Sequence, residues 1–200
     1  QPAFVAFLLA AGGIQAAHAT FLTFGTLIWQ KQGLSGGWIG ALWAIGVFAE
    51  IIVFAVSGWL VRTFGPVMLL IAGAASSALR WIVMGFDPGL GTLIPLQILH
   101  GVTYGASHIA AIHFIGQAVP LRAAGSAQAL YATVAAGVAM GCATLIAGWL
   151  YARYGGASYF AMVLIAVLAL AASLHLKKLW PGTVLLDPLR PRVPDRVSVS

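Results

Sequence analysis

The sequence predicts an all-α integral membrane protein with six transmembrane helices arranged as a 3+3 inverted repeat. Of its 200 residues, 61% are hydrophobic and 7% are charged, and the mean hydropathy is +0.98. Soluble domains carry about 25% charged residues, so this composition excludes an ordinary soluble domain. Five or six windows approach the roughly 20 apolar residues that a helix needs to cross a bilayer. The formal net charge of +6 does not indicate nucleic-acid binding, because the basic residues lie at segment ends and in the tail.

Loops rich in glycine, proline and charge separate the six predicted helices. We place the helices at residues 3–27, 38–60, 67–86, 91–116, 123–150 and 158–176. Residues 3–176 would form one bundle, whereas residues 177–200 lack apolar periodicity and are predicted to form a disordered cytoplasmic tail. The single cysteine, Cys142, lies in an apolar run, which excludes a disulfide framework. The abrupt start at Gln1, without a basic signal region, suggests a fragment.

The distribution of basic residues predicts the orientation. With a cytoplasmic N-terminus, seven basic residues fall on the inner side and two on the outer side, in agreement with the positive-inside rule. The inner set is Arg62, Arg122, Lys177, Lys178, Arg190, Arg192 and Arg196, and the outer set is Lys31 and Arg153. Both termini of this segment are therefore predicted to be cytoplasmic.

Two eight-residue segments, 58–65 and 148–155, resemble each other at an offset of 90 residues. Both begin with Gly-Trp-Leu and end in glycine, and each closes the second helix of a three-helix unit. An odd number of spans per unit places the two units in opposite orientations. Secondary transporters use this arrangement, with a binding site near the bilayer midplane.

Glu50 and Arg80 are the strongest chemical signal in the sequence. Glu50 is the only acidic residue within a predicted span, and Arg80 lies inside the next helix. At 1.5 Å per residue, both lie roughly 16–21 Å from the loop that joins their helices, so we predict that they pair near mid-bilayer. An ionisable residue at this depth indicates a functional site, because burying an unpaired charge there is costly. The alternative is a static ion pair that only fixes two helices.

The fourth helix carries a polar stripe. On a helical projection the side chains that share one arc of about 100° are Gln97, His100, Tyr104, Ser107 and His108. Further candidate site residues are His18 in the first helix, Trp43 in the second, and Gln128 and Tyr131 in the fifth. A histidine or a buried carboxyl can bind and release a proton during a cycle. His113 and His175 are interpreted as structural.

No metal site or cofactor is predicted. His100 and His108 are two turns apart, no H-E-x-x-H motif occurs, and Glu50 would be the only carboxylate ligand. Two G-x-x-x-G pairs, Gly101 with Gly105 and Gly137 with Gly141, would let helices approach closely. With 24 glycines in the chain, chance also explains such pairs.

Residues 18–30, 38–50, 79–85 and 97–108 together resemble the second half of a major facilitator superfamily transporter. The likeness is closest to the 3-phenylpropionate permease group of proton symporters, related at a distance to lactose and nucleoside permeases. The resemblance implies that these six helices are the seventh to twelfth of a twelve-helix carrier in the bacterial inner membrane. The N-terminal six-helix half, the lipid bilayer, protons and a small-molecule substrate are then its partners.

The lactose-permease pattern of Glu, Arg and His on successive helices is matched by Glu50, Arg80 and His100. One departure is Thr103, which stands where the permease has a proton-carrying Glu. Residues 58–66 match the superfamily's G-x-x-x-D-R-x-G-R-R signature only in part, with neither its Asp nor its basic pair.

These observations predict proton-coupled uptake of a small organic solute, such as an aromatic carboxylate. Arg80 and the histidines would face the carboxylate of the solute, and Trp43 and Tyr104 would face its ring. Glu50, with His100 and Arg80, would bind and release the coupling proton. A drug or metabolite exporter of the same fold and a non-transporting membrane sensor are the alternatives. An enzyme is disfavoured, because no nucleophile–base or metal motif is present.

Overall fold

A computed structural model describes residues 1–185, and every regular element within them is helical. Residues 1–185 contain nine α-helices: α1 (Pro2–Ala16), α2 (Ala19–Lys31), α3 (Gly36–Ala55), α4 (Ser57–Met84), α5 (Leu90–Ile98), α6 (Ser107–Ala118), α7 (Leu121–Ala132), α8 (Met140–Tyr154) and α9 (Tyr159–Leu179). Two π-helical segments, Gly101–Ala106 and Thr133–Ala139, lie between α5 and α6 and between α7 and α8. A 3₁₀ turn, Gly155–Ser158, precedes α9.

Four helical stretches of these described residues are long and apolar enough to cross a membrane: Pro2–Lys31, Gly36–Ala55, Ser57–Met84 and Leu121–Leu179. The last stretch, of 59 residues, includes the fifth and sixth predicted helices. The fourth predicted helix is divided among α5, the first π-helical segment and α6. The all-helical fold that the composition predicts is confirmed, and four of its helical stretches have the length and apolar composition of membrane spans.

The first predicted helix is divided at His18, where the hydrogen bonding departs from that of a regular α-helix. The Nδ1 atom of His18 lies 2.8 Å from the carbonyl oxygen of Ile14, the group that its own backbone N–H would contact in a regular α-helix. The backbone N–H of His18 donates instead to the carbonyl of Gln15 at 3.0 Å. At this residue the backbone hydrogen bond therefore spans three residues instead of four, and a turn separates α1 from α2.

The predicted loop at Gly65-Pro66 is a sharp bend within α4. Gly65 has φ of 72° and ψ of 162°, a conformation that side-chain-bearing residues rarely adopt, and Pro66 follows it. Gly155, which ends the related segment 90 residues later, also has a positive φ, of 55°. The second predicted helix ends earlier than expected, at Ala55, since a turn at Val56 separates α3 from α4.

The hydrophobic core has two parts, and α1, α4 and α9 pack together along both. In one part Phe7 stacks on Phe114 with ring centroids 4.3 Å apart. In the other part Trp81 stacks on Tyr159 at 5.6 Å. The second part borders the polar residues described below.

The chain beyond α9 returns to the bundle. Trp180 packs edge-on against Phe114, with ring centroids 4.8 Å apart, and the backbone N–H of Leu185 donates to the carbonyl of Ala118 at 2.7 Å. Helix α9 therefore ends three residues beyond its predicted end, and residues 180–185 contact the C-terminal end of α6. The rest of the predicted tail, with Arg190, Arg192 and Arg196, lies outside the described residues.

Candidate functional site

Six polar side chains from four neighbouring parts of the bundle meet in its interior. We call them the buried cluster: His18, Glu50, Arg80, Gln97, His100 and Thr103. His18 lies at the turn before α2, Glu50 on α3 and Arg80 on α4, and the others lie on α5 and the segment that follows it. Five of the six were predicted as site residues.

Arg80 is the centre of the buried cluster and is fully buried. Its Nη1 atom lies 2.7 Å from Nδ1 of His100 and 3.4 Å from Oγ1 of Thr103, and its Nη2 donates to Oε1 of Gln97 at 3.1 Å. Its Cζ atom lies 4.4 Å from the ring centroid of Phe21 and 4.7 Å from that of Trp81. Neutral acceptors and aromatic faces therefore surround the guanidinium, which keeps its charge under all physiological conditions.

Glu50 contacts His100, and His100 contacts Arg80. The Nε2 atom of His100 lies 2.9 Å from Oε1 of Glu50, and this is the single salt bridge among residues 1–185. Because an arginine N–H can only donate, Nδ1 of His100 must accept. The proton of the neutral imidazole is therefore on Nε2, which donates to Glu50. A neutral histidine thus connects a cation to an anion.

This geometry corrects the prediction of a direct Glu50–Arg80 pair. The two residues lie on consecutive helices at similar predicted depth, but α3 packs mainly against α5 and the first π-helical segment. That segment also packs against α4. It lies between the two helices, so His100 occupies the space through which Glu50 and Arg80 would have met.

Thr103 joins His18 to the same network. Since Nδ1 of His18 donates to the carbonyl of Ile14, the Nε2 of a neutral His18 accepts, and the Thr103 hydroxyl lies 3.2 Å from it. Thr103 was predicted only as a departure from the permease pattern, not as a site residue. Its position one helical turn after His100 was the available signal.

Aromatic rings border the buried cluster. Tyr104 stacks on His100 with ring centroids 5.4 Å apart, and Trp43 lies 4.6 Å from Phe21. The indole N–H of Trp43 donates to Oγ1 of Thr26 at 3.0 Å. Trp43 and Tyr104 are half-buried. Phe21, which was not predicted as a site residue, follows His18 by three residues, and its ring covers Arg80.

The remaining predicted site residues lie elsewhere. His108 is half-buried, and its ring centroid is 6.4 Å from that of Phe54. Gln128 is exposed. Tyr131 is buried against Phe7, at 5.6 Å between centroids. The Nδ1 atom of His113 donates to the carbonyl of its own helix at Ile109, at 2.9 Å. Within residues 1–185 no three His, Cys, Asp or Glu side chains come together as metal ligands.

Glu50 is the part of the buried cluster nearest the surface. Its side chain is 19% exposed, compared with 7% for His100 and complete burial for Arg80. The carboxylate is thus the most exposed charged group of the buried cluster, and the ring of Tyr104, which stacks on His100, is half-buried. The guanidinium lies behind the histidine.

Connected charged groups inside a bundle of apolar helices are typical of membrane transport proteins, where such residues mark substrate and ion pathways. Residues 1–162 match the family model described as "MFS_1 like family". The chain belongs to this family, and so to the major facilitator superfamily of membrane transporters.

The relatives of this chain carry transport names. It is 35% identical over 162 residues to the "Probable 3-phenylpropionic acid transporter" of Escherichia coli K12, a match that covers 78% of this chain and 41% of that protein. It is 30% identical over 156 residues to the "Maltose permease" of Geobacillus stearothermophilus, covering 78% and 39%. An uncharacterized transporter of Bacillus subtilis is 25% identical over 129 residues, covering 64% and 32%. The chain spans about two fifths of the first two relatives. No solved structure matches it.

Proposed function

We propose that this chain forms the C-terminal half of a twelve-helix carrier of the bacterial inner membrane, which takes up a small organic solute together with a proton. The observation that carries the proposal is the continuous contact from Glu50 through His100 to Arg80. It joins a carboxyl group that can exchange a proton to a permanent cation that can attract an anionic solute.

Two observations support the architecture. The chain spans about two fifths of its carrier relatives, which fits half of such a protein. Gly65 and Gly155, 90 residues apart, both end related segments with a positive φ. We propose six spans in two inverted three-helix units, with both termini of the segment in the cytoplasm. Transport then requires this bundle to move against the N-terminal half.

The proposed coupling follows from the contacts of Arg80. Its Nη atoms already contact Gln97, His100 and Thr103, so a carboxylate reaches the guanidinium only when these contacts rearrange. Protonation of Glu50 removes the negative charge that holds His100. The positive charge of Arg80 is then unbalanced, and it attracts the solute carboxylate. Proton binding thus favours anion binding, and release of one favours release of the other.

The proposed solute is an aromatic carboxylate. The half-buried rings of Trp43 and Tyr104 would contact its apolar part, and His18, His108 and the buried glutamine Gln97 would add polar contacts. Gln128, which is exposed, would contribute after the two halves have come together around the solute, whereas Tyr131 would first have to leave its contact with Phe7. The name of the E. coli relative points to 3-phenylpropionate as the first compound to test.

The test follows radiolabelled 3-phenylpropionate in vesicles that contain the product of the complete gene. We expect an imposed pH gradient, acid outside, to drive uptake. A membrane potential alone should not, because a proton and a carboxylate together carry no net charge. Glu50→Gln should abolish gradient-driven uptake and leave exchange of internal for external solute intact.

Asp87→Asn is the matched control, since it removes the other described carboxylate, which lies in the α4–α5 loop and accepts from Gln32 at 3.0 Å. It should leave both activities unchanged. Normal coupling in Glu50→Gln would reduce the Glu50–His100 contact to a structural role. Solute leaving the vesicles against its gradient would favour the exporter, and binding without flux would favour the sensor.

A further inference from the structure

The two glycines of the first G-x-x-x-G pair have different surroundings. A methyl carbon placed on Gly101 would lie 2.7 Å from the carbonyl oxygen of Ala49 and 2.9 Å from its carbonyl carbon. At Gly105 the same carbon would lie 3.5 Å from a side-chain carbon of Val53 and 3.6 Å from Cα of Glu50, which are ordinary contacts. Only Gly101 therefore requires the absence of a side chain.

The close contact at Gly101 lies beside both ends of the Glu50–His100 hydrogen bond. His100 directly precedes Gly101, and the carbonyl of Ala49 belongs to the peptide that leads into Glu50. Any atom added at Gly101 meets backbone, which cannot rotate away as a flexible side chain could. With a side chain at position 101, α3 and the π-helical segment would have to move apart at the point where the 2.9 Å contact between Glu50 and His100 forms.

We propose that Gly101 is a positioning residue, which sets the distance between the carboxylate of Glu50 and the imidazole of His100. The proposal rests on the proposed function for its effect on coupling, but its geometric part is independent of the transported solute. Gly101 does not contact the proton or the solute. It lets α3 approach closely enough for Glu50 to contact His100, which in turn contacts Arg80.

A double-mutant cycle on the product of the complete gene tests the geometric part. Glu50→Gln is made in the wild-type protein and in Gly101→Ala, and the midpoint of thermal unfolding is measured for all four proteins in detergent. We expect Glu50→Gln to lower the midpoint in the wild type and to have little further effect in Gly101→Ala, because the contact is already broken there. Shifts that add in the double variant would overturn the proposal.

Gly105→Ala is the matched control, on the same helical face one turn later. It should leave the midpoint and the effect of Glu50→Gln as in the wild type. A control that behaves like Gly101→Ala would show that any methyl group in this crossing has the same effect, and this would also contradict the proposal.

Gly46→Ala provides a graded variant if Gly101→Ala does not accumulate. Its added carbon would lie 3.4 Å from Oε1 of Gln97 and from Cδ2 of His100, which are side-chain atoms that can move. We expect the effect of Glu50→Gln on the unfolding midpoint to be reduced most by Gly101→Ala, less by Gly46→Ala and least by Gly105→Ala. A different order would contradict the proposal that these effects arise from the distance between α3 and the π-helical segment.

Transport measurements separate a positioning role from a merely structural one. Gly101→Ala should lose gradient-driven uptake to the level of Glu50→Gln, lose its dependence on external pH, and retain solute exchange. Loss of uptake and exchange in proportion to the amount of folded protein would show a structural role only. If the wild type shows no proton-driven uptake, the proposed function fails, and the thermal cycle still decides whether Gly101 sets the Glu50–His100 contact.

Discussion

Residues 90–118 and residues 121–154 each contain two α-helices separated by a π-helical segment, and their surroundings differ. The first stretch is packed between α3 and α4, and its π-helical segment contributes Thr103 to the buried cluster. The second stretch exposes much of its surface, including Leu145 at 78% and Val138 at 61%. Around Gly137 and Gly141 an added methyl carbon would contact nothing within 4 Å.

The comparison shows that a π-helical segment does not make a site by itself. Such a segment widens one turn and redirects its side chains, and it often lies at functional positions. Here it acquires a chemical role where neighbouring helices supply a buried cation and a carboxylate. Paired substitutions test this difference. They compare matching positions of the two stretches, and also Arg80, which the first stretch contacts, with Arg122.

The largest effect is expected from removing the cation. Arg80→Met should lower the free energy of unfolding by about 3–5 kcal/mol, because it removes the cation that balances the Glu50 carboxylate through His100. The acceptors on Gln97 and Thr103 lose their donor as well. Uptake should be lost with it. Arg122→Met, at the exposed start of the second stretch, is the control, and chemical denaturation of both variants measures the difference. Equal effects would mean that burial of Arg80 does not matter for stability.

A smaller effect is expected from the two threonines of the π-helical segments. Thr103→Val removes the hydroxyl that contacts Arg80 and His18, so it should cost about 1–3 kcal/mol of unfolding free energy. Thr133→Val changes an exposed side chain and should stay within about 0.5 kcal/mol. Unfolding of the two variants in parallel measures both values. A cost at Thr133 as large as that at Thr103 would contradict the proposed difference between the stretches.

The smallest effect is expected at Gln128. Because its side chain is exposed, Gln128→Ala should change the unfolding free energy by no more than about 0.5 kcal/mol. Gln97→Ala should destabilise more, since Gln97 is fully buried and accepts from Arg80. The apparent affinity for 3-phenylpropionate in each folded variant then reports on direct contact with the solute. A strongly destabilised Gln128→Ala would place this glutamine in a packed environment.

Much of this fold is predictable from the sequence because the bilayer limits what the chain can do. Long apolar runs must be helical there, since a helix satisfies its own backbone groups. The interruption at Gly65-Pro66 is predictable too, although the sequence predicts a loop there and the structure has a bend within α4. A helical projection of residues 97–108 also identifies the face that carries Gln97, His100 and Tyr104.

Other features depend on contacts between helices and are not visible in the spacing of residues. The break at His18 is set locally, where its backbone N–H donates to Gln15 rather than to Ile14; His113, whose side chain makes the same kind of contact to Ile109, leaves α6 unbroken. The insertion of His100 between Glu50 and Arg80 depends on which helices are neighbours. Likewise, the two G-x-x-x-G pairs have the same sequence pattern. Only the nearby carbonyl of Ala49 distinguishes Gly101 from the other glycines of these pairs.

The hydrogen bond from Leu185 to Ala118 has a practical consequence for protein engineering. The N–H of Leu185 satisfies the carbonyl of the last residue of α6, and Trp180 covers Phe114 beside it. Residues 180–185 therefore form a lid, that is, a segment that covers the C-terminal end of α6. An affinity tag or fluorescent protein fused directly after α9 would replace this lid with foreign sequence. The same fusion placed after Leu185 would leave it in place.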